Sequence, residues 1–266
     1  MNPSDNPSHI LFAEERKNEI IKLVNFKGKV FVPDLVAHFN VSPATIRNDL
    51  RELEGFHLIK RTHGGAIPIE SEKVGFEMVN QQKSVEHIEQ KKMIAKSALN
   101  YIEEGDIIIL DTGTTTLELA KMLKNMHITV IVNDIDIAHV LEEYEHVQVV
   151  LIGGNVRKKF RSTVGPFALK MLSEINVDKV FLAVNGFSMT RGGTTPDVNQ
   201  AEIKKKMIEI STNTILLADS SKIGKSSFVQ FAAPSQITTL ITDPGIDSSH
   251  LEQLQSLGIE VVISEA

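Results

Sequence analysis

The sequence predicts an α/β fold in two parts: a small N-terminal head of helices with one hairpin, then a larger, doubly wound parallel sheet. Three observations predict it. Apolar residues recur at helical spacing through the first seventy positions, which end in a Gly-Gly turn. Beyond residue 105 the pattern changes to short apolar runs separated by amphipathic stretches. The runs are Ile107–Leu110, Ile128–Val132, Val147–Ile152, Val180–Val184, Ile215–Ala218, Leu240–Thr242 and Val261–Ile263. Runs of this kind belong to parallel strands buried on both faces by helices. Between the two patterns, residues 70–90 are polar and irregular and read as a linker, so the expected division is 1–69, 70–90 and 91–266. A chain of 266 residues is long enough for two cores.

In the head, helix 1 covers about 13–26, with Ile20, Leu23 and Val24 on one face and Gly28 as its stop. Lys29–Val32 is a short strand, and Pro33 suits the first turn of helix 2, where a missing N–H costs little. Asn40-Val41 is a turn. Ser42-Pro43 then opens helix 3 as an N-cap followed by a first-turn proline. Helix 3 turns Ile46, Leu50 and Leu53 inward and Ala44, Arg47, Asn48 and Arg51 outward, with Thr45 at the flank. That outward face has the chemistry a major groove requires. Arg grips guanine bidentately, Asn reads adenine, and the Ser42 and Thr45 hydroxyls hold phosphate. Lys60, Arg61 and His63 on the following hairpin would flank the backbone as a wing, completing a winged helix-turn-helix. Asp49, Glu52 and Glu54 interrupt the basic run, so a three-helix protein-interaction module with a solvated charged face stays open as the alternative.

Composition narrows the classes. With no Cys, disulfides, thiol catalysis and Cys-based zinc sites are excluded, which suits a reducing cytoplasm. The N-terminus lacks the features of a signal peptide, and no run approaches the ~18 apolar residues of a membrane span. A cytoplasmic protein without membrane contact, metal site or cofactor is expected. The formal charge of −6 is unevenly spread, because residues 1–69 carry nine Lys/Arg against eight Asp/Glu. A near-neutral head can therefore present a local basic face to DNA, since attraction to phosphate is screened beyond roughly 8–10 Å.

The stretch from Val32 to Pro68 closely resembles the winged helix-turn-helix of the DeoR family of bacterial regulators. Their signature couples Ser-x-x-Thr-Ile-Arg-x-Asp-Leu to a Leu-Glu element and an Arg-x-x-Gly-Gly-Ala wing. Ser42, Thr45, Ile46, Arg47, Asp49, Leu50, Leu53, Glu54, Arg61, Gly64, Gly65 and Ala66 all match it. Many members carry a second Arg where this chain has Asn48, so base preference at that contact is expected to differ. The resemblance implies a repressor, dimeric or tetrameric, that binds double-stranded operator DNA.

In the larger part, Ile107–Leu110 runs into Asp111-Thr112-Gly113-Thr114-Thr115-Thr116 and then a helix. A Gly- and Thr-rich loop between a strand's end and a helix start is a natural anion cradle, although the same residues also serve as plain helix caps. No Gly-Lys-Ser/Thr follows, so it is not a Walker loop. Two further polar loops follow strands: Asn185-Gly186-Phe187-Ser188 with Gly192-Gly193-Thr194-Thr195, and Asp219-Ser220-Ser221-Lys222 with Lys225. Ligands bind at that edge of open α/β sheets. Gly153-Gly154 with Arg157 and Arg161 is a further candidate wall or intersubunit contact.

Residues from about 77 to 264 resemble the DeoR-type sensor, which is similar in fold to ribose-5-phosphate isomerase. The resemblance implies a phosphorylated-sugar effector and assigns the phosphate to Thr112–Thr115. It equates Glu202 with the isomerase's general base, where it would grip hydroxyls, and gives Lys222 and Lys225 the phosphate charge. Where the isomerase has an Asp-Gly-Ala-Asp loop of catalytic carboxylates, this chain has Asn185 and Ser188. Its Gly192–Thr195 stretch also lacks the catalytic Lys. Moving a proton between carbons needs positioned acid and base groups. Their loss with the cradle retained describes a sensor, not a catalyst. The alternative is a sugar-phosphate isomerase-like enzyme with an accessory DNA-binding domain. A nucleotide- or cofactor-binding α/β protein with a docking domain ranks last, for want of a Gly-x-Gly-x-x-Gly fingerprint.

Overall fold

A computed structural model of the chain describes residues 13–27, 29–55, 58–67, 73–74 and 87–265. Contacts divide it into two units that meet between Ser71 and Glu72. Gly28, expected to stop helix 1, and most of the expected linker lie outside the described residues.

The first unit holds α1 (Ala13–Lys27), β1 (Val30–Phe31), α2 (Val32–Phe39), α3 (Pro43–Gly55), β2 (Lys60–Thr62) and β3 (Gly65–Ile67). The apolar positions spaced along the helices converge on one core of Ile20, Val24, Leu35, Ile46, Leu50 and Leu53, closed by Val30, Ile59 and Ala66. Pro33 lies in the first turn of α2, and Asn40 ends that helix in the left-handed conformation at φ 50°. Ser42 Oγ accepts the Thr45 N–H at 3.1 Å, capping α3 as its position predicts. The three strands pair antiparallel in the order β1-β3-β2. Both wing glycines have a cause. Gly64 turns the chain at φ 84°, and a Cβ on Gly65 would sit 2.0 Å from the Val30 carbonyl oxygen.

The second unit is a seven-stranded parallel sheet. Its strands are β5 (Ile107–Leu110), β6 (Ile128–Val132), β7 (Val147–Leu151), β10 (Val177–Ala183), β13 (Ser211–Leu217), β16 (Thr239–Thr242) and β17 (Glu260–Ile263), in the order β17-β16-β13-β10-β5-β6-β7. Every neighbouring pair is parallel, and each strand takes up one of the seven apolar runs. Alternate residues serve two cores. Ile109, Val180, Leu182 and Leu216 pack with α7 (Pro166–Leu172), α8 (Val198–Glu209) and α9 (Ser248–Ser256). Ile108, Leu110, Phe181 and Ile215 face the other way, onto α4 (Ile88–Leu99), α5 (Thr114–Ala120) and α6 (Ile135–Leu141). Burial on both faces is why the runs lack polar alternation.

The strand order reverses between β5 and β10. From β5 the chain builds outward through β6 and β7, then returns to lay β10 on the other side of β5. The loops leaving the carboxyl ends of β5 and β10 diverge there, which opens a crevice at the switch point.

Smaller elements surround this rim. β8 (Asn155–Arg157) and β9 (Ser162–Val164) form an antiparallel hairpin. β11 (Gly186–Ser188), β12 (Gly192–Thr195) and β15 (Val229–Ala232) make an antiparallel sheet. β4 (Lys73–Val74) pairs in parallel with β14 (Ser226–Ser227), so part of the expected linker is a strand of this unit, and α4 starts at Ile88 within its last residues.

The Gly192–Thr195 stretch is a correction. The sequence reads as a polar loop, but these residues are a fully buried strand. Gly193 lies under the Phe231 ring, 2.7 Å from where its Cβ would be, so close packing and not ligand approach calls for glycine there. Thr194 Oγ1 donates to the Gly186 carbonyl at 2.7 Å and accepts the Ser227 N–H at 2.7 Å, which commits it to the sheet.

Candidate functional site

The candidate nucleic-acid face lies on α3. Ser42, Ala44, Arg47, Asn48 and Arg51 are exposed, with Thr45 half-buried between them. The acidic residues that interrupt the basic run are all engaged by cations. Asp49 is buried and takes Arg16 through two hydrogen bonds, of 2.6 and 3.2 Å. Glu52 meets Lys17 at 2.9 Å. Glu54 accepts the Arg61 N–H at 3.0 Å and faces its guanidinium at 3.5 Å. The outward stripe is left to Arg47, Asn48 and Arg51, with Arg51 donating to Asn48 Oδ1 at 2.9 Å. On the wing Lys60 and His63 are exposed, while Arg61 is half-buried against Glu54 and anchors the hairpin to α3.

The second unit carries a cleft of about 740 Å³, solvent at its mouth included, where the ends of β5, β10 and β13 meet. Thr112, Gly113, Thr114 and Thr115 form one wall, Asn185 a second, and Asp219 with Lys222 a third. Gly113 is required by proximity, since a Cβ there would sit 2.5 Å from that of Ala183 on the neighbouring strand. Thr112 is held in place by donating to Asp134, which caps α6 by accepting the Asp136 and Ile137 N–H groups.

Beneath the Thr loop lies a polar knot: Asp111, expected from the sequence to bind effector, does not line the cleft, and its partners Gln200 and Lys204 were not anticipated. Asp111 is fully buried and forms an ion pair with Lys204. It also accepts from the Gln200 amide at 3.2 Å and the Ala183 N–H at 3.1 Å. Burial pushes the Asp111 carboxyl upward, against the pull of Lys204 and the N–H groups of Ala183 and Thr112. Gln200 is 1% exposed, yet its Oε1 has no hydrogen-bond partner among the described residues while the side chain lines the cleft. A buried amide oxygen of this kind costs free energy until a donor arrives. Among the described lining residues Lys91, Lys204 and Lys222 are cationic, Lys204 being paired with Asp111, and Asp219 is the one carboxylate.

Several predicted residues stand away from this cleft. Glu202 is exposed on α8 and does not line it. The helix turns Gln200, Lys204 and Met207 inward at i, i+4 and i+7, so a residue two positions after Gln200 points to the other side. Gly186, Thr194 and Thr195 are buried in the antiparallel sheet. Lys225 is exposed and off the lining, and partial desolvation together with nearby Lys222 lowers its pKa. His87, Lys91, Phe160, Gln200 and Lys204 line the cleft without having been anticipated. A signal did exist for Gln200 and Lys204, polar residues at helical spacing among Ala201, Ile203, Met207 and Ile208. None existed for Phe160 or His87, which reach the cleft from distant parts of the chain.

Burial raises the Asp134 carboxyl to about 6, opposed by the Thr112 hydroxyl and the two capping N–H groups. A carboxyl raised in the folded state holds its proton more tightly there than in the unfolded chain. Its contribution therefore favours folding below its folded pKa and is lost as pH rises through 6. Comparing urea unfolding of the protein with Asp134→Asn should show the wild type losing about 2 kcal/mol relative to the variant between roughly pH 4.5 and 7.5. Parallel pH curves would mean that Asp134 titrates normally.

Comparison with known proteins agrees with both halves. The DeoR-like helix-turn-helix domain matches residues 16–72, and the DeoR C terminal sensor domain matches residues 86–244. The chain is 40% identical to the HTH-type transcriptional regulator GlpR of Haloferax volcanii, over 95% of this chain and 98% of that protein. It is 34% identical to the putative aga operon transcriptional repressor of Escherichia coli O157:H7, over 94% of each. It is also 34% identical to the lactose phosphotransferase system repressor of Staphylococcus epidermidis, over 93% of this chain and 98% of that one. Among solved structures, ribose 5-phosphate isomerase A of Methanocaldococcus jannaschii overlaps 50% of this chain and 53% of its own at 19% identity, with a TM-score of 0.38. That overlap is too slight to carry a site assignment. With a head and a sensor that match in order and nearly whole-length likeness to transcription regulators, this chain belongs to the DeoR family of DNA-binding transcriptional regulators.

Proposed function

We propose that the protein represses genes of carbohydrate uptake or catabolism and is released from its operator when a phosphorylated sugar fills the cleft. The observation that carries this reading is the Thr112–Thr115 loop, set at the topological switch point of a parallel sheet and sharing one cleft with Asn185 and Lys222. First-turn N–H groups and hydroxyls there suit a phosphate. The unpartnered Gln200 carbonyl suits a sugar hydroxyl. Two of the relatives are named as repressors of a sugar-related operon or transport system, which supports the same direction.

The protein acts as a regulator and not as an enzyme. Its near whole-length relatives are transcription regulators; Asp111 is locked to Lys204 and Glu202 lies on the other side of its helix, which leaves Asp219 as the one carboxylate among the described lining residues. Operator half-sites related by a two-fold axis call for a homodimer or homotetramer, working in the cytoplasm where the DNA is. No helix among the described residues is long and apolar enough to cross a membrane.

Electrophoretic titration of the protein's own promoter region against random duplex at moderate salt tests the DNA-binding part. Specific binding is expected, and equal affinity for both would reject the reading. Arg47→Ala should weaken specific binding by about 1–3 kcal/mol with folding unchanged. Unaltered affinity would remove α3 as the reading helix.

A further inference from the structure

Resting on the reading of the cleft as an effector site, we propose that Gln200 determines its specificity. The amide carbonyl accepts the proton of a ligand hydroxyl, so the effector is a phosphate ester that presents an O–H donor there. Gln200 lies in the first turn of α8, where its backbone N–H donates to the capping Asp197 at 2.8 Å, and its side chain lines the cleft. One end of the amide is already committed. Its nitrogen donates to Asp111 Oδ1 at 3.2 Å. An ionised carboxylate only accepts, so turning the amide round would set oxygen against oxygen. Asp111 does not itself line the cleft, which makes the carbonyl the end of Gln200 that a ligand meets.

The rest of the knot is engaged. Asp111 Oδ2 accepts from Lys204 and from the Ala183 N–H, and the Thr112 N–H serves the same carboxylate. Lys204 also donates to the Ala183 carbonyl at 2.8 Å and lies 5.0 Å from the centre of the Phe231 ring. Gln200 Oε1 is left over, an acceptor without a partner among the described residues, on a side chain that is 1% exposed. Bulk water does not supply the missing donor, and a buried acceptor left unpaired costs free energy. The amide nitrogen supports the buried ion pair, whereas the oxygen serves nothing until a ligand arrives. Asp111 is followed directly by Thr112, so one carboxylate fixes both this acceptor and the start of the Thr112–Thr115 cradle. Such a wall discriminates sharply, because an analogue without the hydroxyl leaves the carbonyl unpaired, while an apolar wall responds to size alone. The requirement is for a proton donor. Fluorine in place of the hydroxyl nearly keeps its size and loses the proton.

Calorimetric titration of the full chain tests this with inorganic phosphate, glucose 6-phosphate, galactose 6-phosphate and forms of each sugar in which one ring hydroxyl is replaced by fluorine. At least one hexose 6-phosphate should bind the wild type more tightly than inorganic phosphate does, and one of its fluorinated forms should bind about tenfold more weakly than the parent. In Gln200→Met, which keeps the length of the side chain without its carbonyl, the parent should weaken to the level of that form and the difference between the two should vanish. The proposal is overturned if every fluorinated form matches its parent on the wild type, if the penalty persists in Gln200→Met, or if neither sugar phosphate outcompetes inorganic phosphate. It is also overturned if inorganic phosphate weakens in Gln200→Met in step with the sugar, since the residue would then only support the cradle. If inorganic phosphate fails to bind the wild type, or binds Thr114→Asp equally well, the effector cleft itself is misassigned and the role of Gln200 goes with it.

Discussion

Replacing Lys204 by Met is expected to lower the unfolding free energy of the sensor unit by about 3–5 kcal/mol, because it strands a buried carboxylate. Asp111 is fully enclosed, and its remaining donors, the Gln200 amide and the N–H groups of Ala183 and Thr112, carry no charge to balance it. Removing both charges is a different experiment. Asp111→Asn combined with Lys204→Met should recover at least half of the loss, since the penalty belongs to the unpaired ion and not to a missing attraction. Urea denaturation of the two variants measures both values. A loss below about 1 kcal/mol in the single variant would mean that water reaches Asp111, contrary to the burial described here.

Thr114→Asp should leave operator binding at wild-type strength and abolish the response to any phosphorylated sugar. The residue begins α5 on the cleft wall, so a carboxylate there sets negative charge against the position assigned to phosphate. Helix starts tolerate acidic residues, so the fold should accept the change. The coupling at stake is of the usual allosteric size, about 1–3 kcal/mol, or roughly five- to 150-fold in operator affinity. Undiminished induction in this variant would place the effector elsewhere.

The legibility of the chain followed the range of the interactions involved. Helical period alone sorted α3 into Ile46, Leu50 and Leu53 inside and Arg47, Asn48 and Arg51 outside, because both sets are set by the turn of one helix. The seven apolar runs became seven parallel strands because two-sided burial leaves a mark on each strand separately. Pairing across distance left no such mark. Asp49, Glu52 and Glu54 look like repulsive charge until Arg16, Lys17 and Arg61 are brought beside them. Gly192 and Gly193 look like a ligand loop until Phe231 is laid across the second of them. Glu202 shows how a residue type can mislead where phase would not, since the apolar neighbours on α8 already directed Gln200 and Lys204 inward. Phe160 was out of reach of any local pattern, because a hairpin with few apolar residues brings it to the cleft.

The proposed function couples an anion in the switch-point cleft to the grip of the head on DNA. Fluorescence anisotropy of a labelled promoter duplex, titrated with hexose 6-phosphates and with the same sugars unphosphorylated, tests it most directly. A phosphorylated sugar should weaken operator binding by wild-type protein, its unphosphorylated parent should do nothing, and Thr114→Asp should respond to neither. Release by the parent sugar, or full release of the Thr114→Asp protein, would contradict it.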